Sequence, residues 1–182
     1  MKNTTIFSIG HGNKNINEFI GELKYHEIFY LIDVRSTPYS KWNPQYNQAT
    51  IEGSLINDNI TYVYLGDKLG GLPSDRSCYI DGKVEYDLVK QKDFFIEGLN
   101  RLLAANEKNV KVAVMCSETN PADCHRSKLI GQELLSHGIS IKHIVTGNKI
   151  KSQEAVMAEV TKGVGIVDLF GDKTNLRSRK KY

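Results

Sequence analysis

The chain has 182 residues, 40% hydrophobic and 25% charged, which suits one folded domain with its own core and excludes a disordered or fibrous chain. No apolar run approaches the ~18 residues of a membrane span, and Met1–Thr5 leads straight into a strand with no secretory-signal core; no membrane partner and a cytoplasmic location are expected. Of the net charge of +3, Arg177, Arg179, Lys180 and Lys181 supply four charges and leave residues 1–176 at −1, so a globally basic nucleic-acid-coating surface is not indicated, while a local basic patch stays open.

In chain order, the first β-like run is Thr5–Ile9. It is followed by a helix over Asn15–His26, with Ile16, Phe19, Ile20 and Leu23 at helical spacing, Asn15 as cap and Glu18 three residues on. A strand at Tyr30–Val34 comes next, then a weaker helix near Asn47–Asn57 and a strand at Thr61–Leu65. A long helix is expected over about Asp87–Asn106, carrying Phe95, Leu99, Leu102 and Leu103 on one stripe, before a strand at Lys111–Met115. Ser127–His137 is a helix stopped by Gly138, Lys142–Val145 the fifth strand, and a last helix follows Ser152. Strands interleaved with helices predict a three-layer α/β fold, a mainly parallel five-stranded sheet with helices on both faces, Rossmann-like or rhodanese-like. The simplest parse is one domain over 1–150, then a helix and a basic, solvated tail over 151–182.

Ligands of open α/β sheets bind at the carboxyl ends of the strands. Nearly every chemically capable group follows a predicted strand: Gly10-His11-Gly12, Arg35-Ser36-Thr37-Pro38, Gly66 to Gly71, Cys116 to Arg126, and Thr146-Gly147-Asn148. The opposite edge has short, plain connections. The asymmetry points to a site on one edge.

The segment Cys116-Ser-Glu118-Thr-Asn-Pro-Ala-Asp-Cys124-His125-Arg126-Ser127 leaves a strand and enters a helix, where backbone N–H groups favour anions and lower a thiol pKa. Three functions compete for it. Cys116 or Cys124 is a thiolate nucleophile activated by His125, with Glu118 and His11 as further catalytic groups. Alternatively Cys116, Cys124 and His125 bind a metal, although Cys-x7-Cys-His matches none of the two-residue-gap zinc knuckles. Or the loop cradles an anion, with Arg126 as a bidentate contact. Against these stands a plain reading, in which Cys116 is a small buried strand-end residue and Cys124-His125 a helix cap. The odd cysteine, Cys78, reads as incidental, and all three as reduced thiols. No cofactor beyond that metal alternative is expected.

Asp33 and Arg35 at the end of the second strand suit an internal ion pair, with Arg35 also placed for a ligand. In the following loop Ser36, Tyr39, Ser40, Trp42 and Asn43 are candidate substrate contacts, the aromatics for stacking on a base; packing of the loop on the body is the plain alternative. Gly66–Lys83, 18 residues with four glycines, is a candidate lid. Its Gly70-Gly71 pair lacks the flanking pattern of a dinucleotide or ATP loop.

Ser8-Ile-Gly-His-Gly-Asn13, Leu31-Ile-Asp-Val-Arg-Ser-Thr-Pro-Tyr-Ser40, Leu69-Gly-Gly71 and Met115-Cys-Ser-Glu118 with Cys124-His-Arg126 resemble domain-of-unknown-function family 488. The resemblance covers roughly residues 5–146 and implies a small bacterial or archaeal α/β domain without assigning an activity. A more distant similarity is to rhodanese-like sulfurtransferases, through Ile32–Arg35, Cys116 and Arg126-Ser127 in that order. It implies a nucleophile position for Cys116, although the loop from Cys116 to Arg126 is longer than that family's.

The leading expectation is an enzyme, a cysteine-dependent transferase or hydrolase acting on a phosphate-bearing nucleotide or nucleic-acid end. Cys116, His125, Glu118 and His11 would be catalytic; Arg35, Ser36, Tyr39, Ser40, Trp42, Asn43, Gly70, Gly71, Cys124, Arg126 and Ser127 would bind substrate. The alternatives are a non-catalytic nucleic-acid module using the aromatic loop and the tail, or a metal-binding protein. Composition and pattern leave the oligomeric state open.

Overall fold

In the computed structural model, which describes residues 4–167 and 171–182, a six-stranded sheet forms the middle layer. Its strands are β1 (Ile6–Gly10), β2 (Tyr30–Asp33), β3 (Thr61–Tyr64), β6 (Val112–Cys116), β7 (Lys142–Val145) and β8 (Lys149–Ser152), in the order β3-β2-β6-β1-β7-β8. A separate two-stranded hairpin pairs β4 (Tyr79–Ile80) with β5 (Lys83–Val84). The five predicted strands are all present and parallel; the sixth, β8, runs antiparallel to β7. The expected count of five is therefore corrected to six. Gly147 and Asn148, read as strand-end chemistry, are instead the left-handed turn of the β7–β8 hairpin, with φ of 75° and 59°.

The central strands β1 and β6 are buried along their whole length, which is why they read as short apolar runs rather than alternating ones. Alternation decides which face each side chain serves. Phe7, Ile9, Leu31, Ala113 and Met115 pack with α1 (Ile16–Tyr25) and α2 (Gln48–Ile56). Ile6, Ile32, Val112 and Val114 pack on the other face with α5 (Asp93–Glu107), α6 (Gln132–Ser136) and α7 (Gln153–Val160). Asn15 caps α1 as predicted, its Oδ1 accepting from the Glu18 N–H at 2.8 Å.

Two predicted helices are broken. The stretch Asp87–Asn106 divides into α4 (Tyr86–Val89) and α5, with Lys92 extended between them. The buried stripe explains the break: Val89 and Phe95 are six residues apart, a spacing no continuous helix keeps on one face. Ser127–His137 begins one residue earlier as a wide π-helical stretch, Arg126–Gly131, before tightening into α6. π-bulges of this kind occur where a side chain must be re-aimed.

The 66–83 connection is anchored rather than free. It contains the short α3 (Gly66–Leu69), and Leu69 and Cys78 are fully buried in the core. Nor is the tail free, although residues 179–182 are exposed. The Tyr86 N–H donates to Leu176 O (3.1 Å), Ser178 N–H to Val84 O (2.9 Å) and Tyr182 N–H to Gly82 O (2.8 Å), so residues 176–182 lie along the β4–β5 hairpin like a third strand. Arg177 pairs with the buried Glu85 at 3.4 Å. A boundary at 150 falls inside β8, and α7 buries Val156 and Met157 in the body. Among the described residues no helix is long and apolar enough to cross a membrane.

Candidate functional site

Strand β6 ends at Cys116, and the loop that follows turns back over β1. Ladder-like bonds continue past the strand, from His11 N–H to Cys116 O and from Gly12 N–H to Ser117 O, both 3.0 Å. A Cβ on Gly10 would stand 1.9 Å from the Glu118 carbonyl oxygen, so only glycine lets this crossing occur. The loop then tightens at Pro121–Asp123, where the Asn120 side chain accepts from Ala122 N–H at 3.2 Å. Ser127 Oγ donates to Pro121 O at 2.6 Å. This closure brings Cys124 and His125 beside Cys116.

Cys116 Sγ, Cys124 Sγ and His125 Nδ1 all lie within 4.8 Å of one another, and all three residues are buried. His125 Nε2 faces the Val34 carbonyl at 3.2 Å. A carbonyl only accepts, so Nε2 carries a proton, and Nδ1 faces the sulfurs, 3.9 Å from Cys116 and 3.6 Å from Cys124. Gly71 lies flat against the ring, where a Cβ would come within 2.9 Å of Nδ1. Glu118 brings a carboxylate oxygen to 2.8 Å from Cys116 Sγ and 3.5 Å from Cys124 Sγ.

The two thiols are not equivalent. Cys116 donates toward Cys124, and this bond, with burial, holds its pKa well above the ordinary value. Burial also works against a Cys124 thiolate, but the Cys116 S–H, the Arg126 guanidinium and His125 together pull its pKa well below the ordinary value. For His125, burial disfavours the cation and the neighbouring Cys124 sulfur outweighs it, so its pKa is raised.

Arg126 has no exposed surface. Its Nε donates to Cys124 Sγ (3.3 Å), Nη1 to Ser8 Oγ (3.1 Å) and Nη2 to the Glu118 carbonyl (2.6 Å). Ser8 Oγ in turn lies 2.6 Å from His143 Nδ1, and His143 Nε2 lies 2.8 Å from Gln153 Oε1. One proton arrangement satisfies the whole row: Arg126 donates to Ser8, Ser8 to His143, and His143 to Gln153. Ser8 and His143 are register partners on adjacent strands, which is why they meet under the cluster.

The cluster forms the floor of a cavity of about 390 Å³. Of the residues predicted from the strand ends, His11, Arg35, Ser36, Tyr39, Ser40 and Asn43 reach its wall. So do Gly71, Cys116, Glu118, Cys124 and His125. Trp42, Gly70, Arg126 and Ser127 do not. Trp42 is 80% exposed outside the cavity, whereas Arg126 and Ser127 are buried beneath it. Arg35 is bound to Asp33 through Nε (2.9 Å) and Nη2 (2.5 Å) and to the Tyr46 carbonyl at 2.7 Å. His11 donates from Nδ1 to Gly12 O at 2.8 Å, faces Arg35 Nη1 with Nε2 at 3.4 Å and stacks on the buried Tyr46.

Sequence reasoning missed Ser8, His143 and Gln153, and the tail residues Ser178, Arg179, Lys180 and Tyr182, which line the cavity mouth. A signal for the first two existed: each is a polar residue inside an otherwise apolar buried strand. For the tail there was none, since it docks by long-range backbone pairing.

The sequence model of the family described as domain of unknown function DUF488 matches residues 15–132. No curated protein and no solved structure matches the chain.

Proposed function

The chain belongs to the family described as domain of unknown function DUF488, a membership that names no reaction, and we propose from the site itself that it is an enzyme acting on a phosphate-bearing nucleotide. The carrying observation is that Cys116, Cys124, His125 and Glu118 converge at the floor of a cavity whose mouth holds Arg179 and Lys180. A volume of about 390 Å³ lies in the range of small-molecule sites. Tyr39 and Tyr182, 69% and 55% exposed at the same cavity, offer ring faces for a base. Among the described residues the Lys180 ammonium makes no ion pair, whereas Arg179 stands 3.9 Å from Asp123.

Two observations weigh against a non-catalytic nucleic-acid module. Tyr46, one of the three aromatics of the proposed stacking loop, is fully buried, and the tail is bound to the hairpin. Arg35 and Arg126, expected to hold the phosphate, are occupied by protein partners, so the anion contact passes to the mouth. The test is calorimetric titration with nucleoside monophosphates, the matching nucleosides and inorganic phosphate, followed by mass spectrometry of the incubated ligand. A monophosphate should bind more tightly than its nucleoside, and Lys180→Glu should weaken it about tenfold. Equal affinity for nucleoside and nucleotide, or binding with no chemical change in any ligand tried, defeats the reading.

A further inference from the structure

Four groups that can bind a metal crowd the cavity floor: two sulfurs, an imidazole nitrogen and a carboxylate oxygen. His125 Nδ1 faces the two sulfurs, at 3.6 and 3.9 Å. Two sulfurs and a ring nitrogen within 4.8 Å of one another are the donor types and the grouping that a soft metal ion takes. The distances indicate which kind. With bond lengths of about 2.3 Å to sulfur and about 2.1 Å to nitrogen, a tetrahedral zinc ion places sulfur and nitrogen about 3.6 Å apart. The observed pairs, 3.6 and 3.9 Å, lie close to that edge.

We propose that Cys116 Sγ, Cys124 Sγ and His125 Nδ1 bind one zinc ion, whose fourth position opens to the cavity beside Glu118. The surroundings fit. His125 donates its other ring N–H to a backbone carbonyl, as metal-binding histidines do. Cys124 Sγ receives the Arg126 backbone N–H at 3.5 Å and the guanidinium Nε at 3.3 Å, which stabilise a thiolate ligand. The Glu118 oxygen is only 2.8 Å from Cys116 Sγ, nearer than a fourth ligand would stand, so it flanks the open position.

Three protein ligands and an open position make a catalytic rather than a structural zinc site. The chemistry is hydrolysis. Water on the zinc would give a proton to Glu118 while its oxygen bonds to the electrophilic centre of the substrate, the bond from that centre to the leaving group would break, and Glu118 would pass the proton to the departing group. No oxidant or further reactant is required. This deepens the preceding reading by giving its reaction centre a metal, and the two fail separately: stoichiometric metal without nucleotide binding defeats the first, nucleotide turnover by metal-free protein the second.

The test is elemental analysis of the purified protein, then titration of the metal-free protein with Co²⁺. One ion per chain is expected, with the visible bands of tetrahedral cobalt and a thiolate charge-transfer band, both displaced by Zn²⁺. Cys124→Ser should abolish the charge-transfer saturation at one equivalent, while Cys78→Ala, outside the cluster and the cavity lining, should keep it. X-ray absorption of the unmutated protein at the zinc edge needs no variant and should show two sulfurs and one nitrogen. A purely oxygen-ligated ion, a Cys116–Cys124 disulfide in the protein as purified, or unchanged cobalt spectra in folded Cys124→Ser each overturn the proposal.

Discussion

Two buried arginines stand at the same sheet edge and are satisfied in opposite ways. Arg35 is matched by a carboxylate: Asp33 takes its Nε and Nη2, and Tyr62 adds a hydroxyl to the same carboxylate at 2.7 Å. That corner is closed electrostatically, with neutral His11 stacked on Tyr46 beside it. Arg126 is buried more completely, and among the described residues it has no carboxylate partner. Its contacts are a hydroxyl, a carbonyl and the Cys124 sulfur. A guanidinium stays charged, and an uncompensated buried charge is expensive. Among the described residues, the group in contact with it that can carry a negative charge is the Cys124 thiol, whose pKa is lowered. One arginine therefore pairs with a carboxylate, and the other stands against a sulfur whose pKa it helps to lower.

The contrast is broken most forcefully at Asp33. Asp33→Asn leaves Arg35 buried without a counter-charge and should cost about 3–5 kcal/mol in urea unfolding, while the ion content of the cysteine cluster stays unchanged. Loss of the bound ion in a folded Asp33→Asn protein would show that the two corners are not independent.

An effect of similar size for each histidine, shared by both corners, is acid sensitivity. Burial holds the pKa of His11 and of His143 down to about 4. In the unfolded chain both titrate near 6.5, so the unfolded state binds protons that the native state refuses. Their contribution is intact above about pH 6.5 and is lost as pH falls toward 4, by about 3 kcal/mol for each histidine. Urea melts from pH 7.5 to 4.5 on the unmutated protein and on His143→Gln should differ in slope below pH 6.5, with the variant shallower. Parallel curves would remove His143 from the account.

The fold was largely legible because its signals are local. Five parallel strands, the capped α1 and the Gly138 stop follow from short apolar runs and end residues. The site's location followed from the strand-edge rule, and Cys116, Glu118, Cys124 and His125 were visible as chemistry-bearing residues in one segment. What each arginine does was not legible, because it depends on partners far along the chain: Ser8 is 118 positions from Arg126. The spacing of Cys116 and Cys124 argued against a metal only because known knuckles close over two residues, whereas here a crossing over Gly10 and a turn at Pro121 perform the closure. The tail was misread since a basic, polar sequence says nothing about backbone pairing with Val84 and Gly82.

The comparison is sharpened by Arg126→Met, which keeps the volume and removes the charge. The Ser8 hydroxyl oxygen and the Glu118 carbonyl lose their buried donor, so stability should fall by about 1–3 kcal/mol, and zinc affinity should fall about 10–100-fold, as on loss of a supporting contact to a metal ligand. Competition with a chromophoric chelator measures it. An affinity equal to that of the unmutated protein would mean that Cys124 does not need its arginine.

The smallest effect tests whether the Arg35 corner is held by its ions or by its rings. The Tyr46 hydroxyl donates to Lys14 O at 3.1 Å, while its ring stacks on His11 with centroids 4.1 Å apart. Tyr46→Phe keeps the stack and removes one hydrogen bond, so a loss of about 1 kcal/mol is expected, with zinc affinity and nucleotide binding unaltered. A loss several times larger would mean that the hydroxyl bond fixes the position of α1 against the strand edge. His11 would then depend on that bond for its place at the cavity wall, and the closed corner would be as finely poised as the open one.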